Sequence, residues 1–242
     1  MRAEIELTRT PPAAPAGAGA RRFTALDGAM LGVLALVVAS DVAAARLAVG
    51  WITAVVTLAL SGGALLTIAT RPAWRPLILR LLLLGLVTGM VELFTDFSGE
   101  VVARSLIYPP KEPMIWASPA YMPFSWSVTL TLVGYLAWRL WGLAPRPPRW
   151  LAIILTGLWG AVNIPFYEEM AYHAGWWRYA RAPGLGHTPF YVILFEGLTA
   201  ALLPALVARL ETRAWWGVAL RGLALGVWAP WAALFAWLLI GR

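Results

Sequence analysis

Residues 92–126 read ELFTDFSGEVVARSLIYPPKEPMIWASPAYMPFSW, in which the end of an apolar helix runs into a connection rich in Tyr, Pro and Trp. Glu92, Asp96 and Glu100 recur at intervals of four, so a helix places all three carboxylates on one face. Carboxylates are expensive inside an apolar membrane helix and usually face a polar interior. This face is therefore the first candidate for a functional site.

The composition around this stretch is typical of an integral membrane protein. The chain has 242 residues, of which 60% are hydrophobic and 13% charged. Apolar runs of about 20 residues recur, the length that crosses about 30 Å of hydrocarbon. Most of them lack the polar stripe of a soluble amphipathic helix. We therefore predict an all-α, polytopic membrane protein, and the absence of Cys excludes disulfides and thiolate sites.

The apolar runs divide the chain into a tail and one transmembrane domain. We predict a flexible, basic N-terminal tail over residues 1–24, rich in Pro, Ala and Gly, and a seven-helix domain over residues 25–242. The predicted spans are residues 26–47, 51–70, 77–97, 119–141, 150–170, 189–210 and 215–240.

The distribution of Lys and Arg predicts the orientation. Most of the 19 Lys and Arg residues fall on the cytoplasmic side if the N-terminus is cytoplasmic and the C-terminus external. This topology describes a multi-pass protein of the cell membrane. The net charge of +7 then meets anionic lipid headgroups, so the bilayer is the expected partner and nucleic-acid binding is unnecessary. The sequence carries no signal for an oligomeric state.

In this topology the polar residues of the central spans collect near the outer surface. They are Glu92 and Asp96 in the third span, Asn163, Glu168 and Glu169 in the fifth, and Glu196 about two turns into the sixth.

A short repeat supports this arrangement. Ser118-Pro119-Ala120-Tyr121 opens the fourth predicted span, and Thr188-Pro189-Phe190-Tyr191 opens the sixth. Ser or Thr followed by Pro is typical of a helix N-cap and first turn. We therefore expect a parallel repeat of two helical hairpins, with both helix N-termini directed at the acids.

The acids are candidates for general acid–base catalysis. Apolar surroundings keep a carboxylic acid protonated, so that it can protonate an alkene, and a neighbouring carboxylate can later accept a proton. We expect Glu92 to be the leading proton donor and Asp96 or Glu196 its electrostatic partner or base. Glu168 and Glu169 are second candidates, of which only one is expected to reach the centre because adjacent residues point in different directions.

The aromatic residues allow two interpretations. The chain has 15 Trp, and an aromatic belt at the headgroups accounts for part of them. The alternative is an aromatic-walled pocket that stabilises a carbocation over its ring faces. The expected substrate-binding residues are Tyr108, Trp116, Tyr121, Trp126, Asn163, Trp176, Trp177, His187 and Tyr191.

Metal and cofactor motifs are not evident. His173 and His187 do not form a recognisable metal motif, and each is more often a hydrogen-bonding residue. Carboxylates can hold Mg²⁺, but the chain has no close Asp-rich pair. There is no Gly-rich phosphate loop either. We therefore expect neither a metal nor a cofactor.

One segment resembles a known family. Gly175-Trp176-Trp177-Arg178-Tyr179, followed by Gly186-His187-Thr188-Pro189-Phe190-Tyr191, resembles the Gly-x-Trp-x-Trp … Gly-[Val/Ile]-Pro pattern of membrane carotenoid hydratases of the CruF type. Tyr179 stands where the pattern has Trp, and Thr188 precedes the Pro. The layout of residues 92–126 is similar to that family's Glu-containing helix and Tyr/Pro loop, so the resemblance covers roughly residues 77–210. It implies isoprenoid chemistry.

A looser resemblance is to small membrane terpene cyclases and heterodimeric lycopene cyclases, which use embedded carboxylates without a metal. Pro165-Phe166-Tyr167-Glu168-Glu169 is similar to the Pro-x-Glu-Glu of the latter, with one residue more. The resulting hypothesis is a membrane enzyme that hydrates or cyclises an apolar isoprenoid after protonating it. The alternatives are a transporter or proton-coupled permease that uses the same acids, and a non-catalytic membrane assembly protein.

Overall fold

Seven long helices account for most of the protein. The computed structural model describes residues 23–143, 148–180 and 182–241. The helices are α1 (Ala25–Leu47), α2 (Trp51–Ile68), α3 (Arg75–Phe97), α4 (Met122–Gly142), α5 (Arg149–Ala174), α6 (Phe190–Val207) and α7 (Trp215–Ile240). Of the predicted tail, residues 1–22 lie outside the described residues, and Thr24 caps α1 through a reciprocal pair of hydrogen bonds with Asp27.

Six of these helices are long and apolar enough to cross a membrane, and α4 is the exception. More than half of the residues of α4 are buried, because α2, α3, α5 and α6 all pack against it. An inner helix can carry Ser, Thr and Pro because protein, not lipid, surrounds it. The prediction of an all-α polytopic membrane protein is confirmed.

The expected repeat is also present. In the first unit, α3 continues into a π-helical turn (Ser98–Val102) and then β1 (Leu106–Ile107), β2 (Met114–Ile115), β3 (Ser118–Pro119) and α4. In the second, α5 is followed by β4 (Arg178–Tyr179), β5 (Gly184–Leu185), β6 (Thr188–Pro189) and α6.

The short strands have the same pairing in both units. β2 pairs with β3 and β5 with β6, each as a hairpin with a two-residue turn. The first turn residue has φ +59° at Trp116 and +60° at Gly186. β1 and β4 pair with each other across the two units. The strands therefore join the two units at the end of the bundle where α3 and α5 finish and α4 and α6 begin.

The predicted N-caps are wrong. Ser118 and Thr188 lie in β3 and β6, because each Ser/Thr-Pro pair forms the second strand of a hairpin. α4 begins only at Met122, with Tyr121 before it, and α6 begins at Phe190 after Pro189. The helices also extend beyond two predicted ends, since α5 continues to Ala174 and α3 runs into its π-helical turn.

Glycines let the helices of each unit approach closely. A Cβ on Gly89 of α3 would lie 2.8 Å from the Pro123 Cα of α4, and one on Gly160 of α5 would lie 3.0 Å from the Glu196 carbonyl oxygen of α6. A Cβ on Gly222 of α7 would likewise lie 2.6 Å from the Leu84 carbonyl oxygen of α3. Small residues at helix contacts are the usual means of association in a membrane, where apolar burial against lipid gives little.

The two ends of the bundle differ in polarity. The end opposite the hairpins is filled by a large apolar core, which includes Leu65, Ile78, Leu81, Leu84, Leu203, Val207, Val218 and Leu225. The acids there have structural partners: Asp27 accepts a hydrogen bond from Tyr135 and forms a salt bridge with Arg139, and Glu211 accepts a hydrogen bond from Trp138. The remaining buried acids lie toward the hairpin end.

The close approach of α3 and α4 gives a direct test. We expect Gly89→Ala to lower the free energy of unfolding by about 1–3 kcal/mol, because the added methyl group overpacks the backbone of α4. Gly63→Ala in α2 is the matched control, since nothing lies within 4 Å of its Cβ position and Ala favours the helix. Unfolding of both variants in one detergent measures the difference, and equal stabilities would contradict the packing described.

Candidate functional site

A cavity of about 910 Å³ lies between the two units at the hairpin end of the bundle. Helices α1, α3, α4, α5, α6 and α7 all contribute to its walls. Of the twelve Asp and Glu residues in the chain, five line it: Asp41, Glu92, Asp96, Glu168 and Glu196. No Lys, Arg or His is among the lining residues in the described part of the chain. The cavity is therefore acidic, with no counter-charge from the residues that the structure describes.

Asp96 is held by two hydroxyl groups. The Tyr108 hydroxyl donates to Asp96 Oδ2 at 2.8 Å, and the Ser118 hydroxyl donates to the same oxygen. Burial raises the pKa of Tyr108 well above its usual range, so the phenol keeps its proton and remains a donor. Two donors on one oxygen are the arrangement that stabilises a carboxylate as an acceptor.

Glu168 has the equivalent arrangement in the second unit. The Trp177 indole N–H donates to Glu168 Oε2 at 2.6 Å, and the Tyr179 hydroxyl donates to Oε1 at 3.1 Å. Burial raises the pKa of Tyr179 as it does that of Tyr108. Each unit thus places a Tyr from the connection after its first helix on an acid near the end of that helix.

The other three acids of the cavity have no such donors. Glu92 Oε2 and Asp41 Oδ1 are buried and make no hydrogen bond within the described ranges. Glu92 lies close enough to Asp96 and Glu196 to interact with their charges, and Trp126 is placed to donate to it, although the geometry falls short of a regular hydrogen bond. Glu196 faces the cavity and keeps part of its surface accessible there. A carboxyl group without donors or a counter-charge costs least when it is neutral.

Aromatic rings cover much of the wall between the acids. Trp126 and Phe195 meet edge to face, with ring centroids 6.5 Å apart, and Tyr167 lies 5.6 Å from Trp177. Tyr191 packs edge to face against Trp237 at 4.9 Å. Ring faces in such a wall attract a cation by their quadrupoles.

The cavity reaches the lipid-facing surface but not the opposite end. Lining residues that are also exposed on the outside of the bundle include Phe94 of α3, Trp159 and Phe166 of α5, and Val227 and Trp231 of α7. Toward the opposite end the cavity stops near the middle of the helices, at Val133 and Ala200, where the apolar core begins. Access is therefore from the outside of the bundle, both beside these helices and at Val102, next to the hairpin end.

Most of the predicted site residues come together in this cavity. It is lined by four of the five predicted acids and five of the nine predicted binding residues, namely Glu92, Asp96, Glu168, Glu196, Tyr108, Trp126, Asn163, Trp177 and Tyr191. Tyr121 and Trp176 line a smaller adjoining cavity of about 30 Å³, which also contains Asp41.

Three predicted residues lie elsewhere. Glu169 points away from Glu168 and contacts His187 at the surface. This agrees with the prediction that adjacent helical residues point in different directions. Trp116 stacks on Phe97 at 4.4 Å and is more than half exposed, since it occupies the tip of the β2–β3 turn.

Sequence reasoning missed Asp41, Tyr167 and Tyr179. Asp41 is an isolated acid in the apolar first span, which is the same signal that identified Glu92, so it was available from the sequence. Tyr167 and Tyr179 carried no such signal, because aromatic residues are also expected at the interfaces. Their roles depend on the path of the chain: the Tyr167 hydroxyl lies 3.2 Å from the Ser125 hydroxyl of α4.

Glu112 is a further buried acid outside the membrane-spanning segments. It is 8% exposed, in the connection between β1 and β2. Burial raises the pKa of Glu112 to about 7. Tyr121 offsets part of this effect, although the geometry falls short of a regular hydrogen bond. Glu112 does not line the cavity.

Comparison with protein families identifies the family of this chain. Residues 93–240 match the family described as "Domain of unknown function (DUF6989)". The chain belongs to this family. The DUF6989 match begins one residue after Glu92 and includes Asp96, Glu168 and Glu196, whereas α1, α2 and Asp41 precede it. No curated protein and no solved structure matches the chain.

Proposed function

We propose that this DUF6989 protein is a membrane enzyme that protonates an apolar isoprenoid and completes its hydration or cyclisation. The main support for the proposal is the lining of the cavity, in which aromatic rings and five acids, but no basic side chain of the described residues, surround the space. Such a lining favours a substrate that is apolar when it enters and cationic during the reaction. The resemblance of residues 175–191 to carotenoid hydratases of the CruF type supports the same chemistry.

The hydrogen bonds suggest a division of roles. Glu92 lacks donors at Oε2 and is the proposed general acid, which transfers its proton to an alkene carbon. A C–H bond forms, the π bond breaks, and a carbocation remains beside Trp126. Asp96 and Glu168, each with two donors, are the proposed carboxylates that stabilise this positive charge.

The reaction can be completed in two ways, and the atoms and charges balance in each. In hydration, water adds to the cation through a new C–O bond, and its surplus proton passes to a carboxylate and restores the acid. In cyclisation, a second alkene of the substrate forms a C–C bond with the cation, and loss of a proton from a neighbouring carbon regenerates an alkene. Glu196 and Asp96 are the proposed proton acceptors, since Glu196 is accessible from the cavity. The proton then returns from either of them to Glu92, which lies close to both, and the general acid is restored. Neither completion uses a redox partner.

The alternative is a transporter or proton-coupled permease, for which the acids would bind a cation or carry protons. The cavity gives it less support, because the apolar core separates the cavity from the opposite end of the bundle. A non-catalytic assembly protein is a third alternative, and it offers no reason for five acids inside one cavity.

The proposed location is the cell membrane, with a cytoplasmic N-terminus and the hairpin end of the bundle outside. The excess of Arg at the opposite end supports this orientation by the positive-inside rule. The expected partners are the bilayer and an isoprenoid that enters from it.

The role of Glu92 can be tested in a carotenoid-accumulating host. We expect mass spectrometry of lipid extracts to find an isoprenoid that has gained water or is isomeric with its precursor. Glu92→Gln should reduce this product at least about 100-fold, because Gln cannot donate the proton. Glu100→Gln is the matched control, two turns further along and outside the cavity, and should keep the product. Full product with Glu92→Gln present in the membrane would refute the assignment.

The orientation can be tested because the chain has no Cys. Lys111→Cys places a single thiol on the exposed connection at the hairpin end, and Thr70→Cys places one at the opposite end. We expect a membrane-impermeant maleimide to label Lys111→Cys in intact cells and Thr70→Cys only after the membrane is opened. The reverse pattern would invert the proposed topology.

A further inference from the structure

Both histidines of the chain converge on one carboxylate, at the surface end of α5. Glu169 Oε1 lies 3.0 Å from His173 Nε2, and Glu169 Oε2 lies 2.9 Å from His187 Nδ1. His173 is one helical turn after Glu169, whereas His187 comes from the turn between β5 and β6. The three side chains are between one third and one half exposed, so an ion from solution can reach them.

The three ligand atoms lie near the spacing that a transition metal requires. One atom from each residue can be chosen so that all lie within 4.8 Å of one another. Two ligands with bonds of about 2.0–2.2 Å to one metal lie at most about 4.4 Å apart. Metal binding therefore needs a small inward rotation of these partly exposed side chains. Two His and one Glu, with water as a fourth ligand, form a set that Zn²⁺ binds.

The surroundings orient these groups. Tyr172 stacks on the His187 ring, with centroids 3.5 Å apart and an interplanar angle of 11°. The backbone N–H of His187 also donates to Glu169 Oε2 at 3.3 Å. Gly186 has φ +60°, and a Cβ there would lie 2.9 Å from the same Oε2. Glycine therefore adopts this φ without strain and leaves space beside the carboxylate.

The first unit shows that the fold does not need this polar cluster. There, the corresponding turn residue Trp116 has φ +59° and is held against the end of α3 by stacking on Phe97. In the first unit, an aromatic contact holds the hairpin against the helix end. In the second unit, the three residues that can bind a metal hold it there.

We propose that Glu169, His173 and His187 form a Zn²⁺ site outside the cavity. The ion would link the β5–β6 hairpin to the end of α5 by coordinate bonds. Glu168 of the cavity is the neighbour of Glu169, and Tyr191 lies two residues after the end of the hairpin, so the ion would fix the rim of the cavity from outside. This role is structural, and it does not depend on which reaction the cavity performs.

Direct titration tests the site. The full chain, purified in detergent with a histidine-free affinity tag and stripped with a chelator, is titrated with Zn²⁺ by calorimetry. We expect one ion per chain. His187→Ala and Glu169→Gln should each weaken binding at least about tenfold, because each removes a ligand. Glu100→Gln is the control for loss of an acid at the same end of the bundle and should bind as the wild type does.

A second measurement guards against variants that fail to fold. The wild type alone is titrated with Co²⁺, whose visible absorption intensifies in a tetrahedral site, and Zn²⁺ should abolish the new absorption. Saturating Zn²⁺ should also raise the Tm of the wild type by about 5 °C. A wild type that binds neither ion, or that binds Zn²⁺ no better than Glu169→Gln does, would reduce the cluster to a hydrogen-bonded latch and overturn the proposal.

Discussion

Two hydrogen bonds between a phenol and a carboxylate, one in each unit, position the acids of the cavity. Tyr108 donates to Asp96, and Tyr179 donates to Glu168. Without these donors, Asp96 would keep only Ser118 and Glu168 only Trp177, at a depth where an under-satisfied charge is most expensive. The strand pair β1–β4 brings the two connections together, since Leu106 is the register partner of Tyr179. The pairing that joins the units thus also places the donors.

The resulting cavity is lined by acids and aromatic rings, and it opens on the outside of the bundle. Donors fix Asp96 and Glu168, whereas Glu92 and Asp41 each keep a buried oxygen without a donor. Acids in two environments within one space are the usual basis for separate proton-donating and charge-stabilising roles. The apolar core closes the opposite end, and exposed side chains such as Phe94 and Trp231 join the cavity to the lipid. A membrane lipid therefore suits the space better than a solute that crosses it.

Residue spacing along the chain was enough to predict the helices and the acids that share a helix face. The apolar runs predicted seven helices, and the four-residue interval brought Glu92 and Asp96 to the same cavity. The chain path decided the rest. His187 reaches Glu169 across 18 residues through the β5–β6 turn, so no spacing motif announced the cluster. The Ser/Thr-Pro pairs fit a helix start and a strand equally well, and pairing with β2 and β5 decided for the strand.

The most direct test of a lipid-filled cavity is native mass spectrometry of the protein purified from an isoprenoid-producing host. Glu92→Gln, which cannot start the proposed reaction, should retain an apolar isoprenoid. Adding Val227→Trp, which places a larger ring at the exposed rim, should remove that adduct. The contradicting result is phospholipid alone, bound equally by both proteins, which would separate the cavity from isoprenoid chemistry.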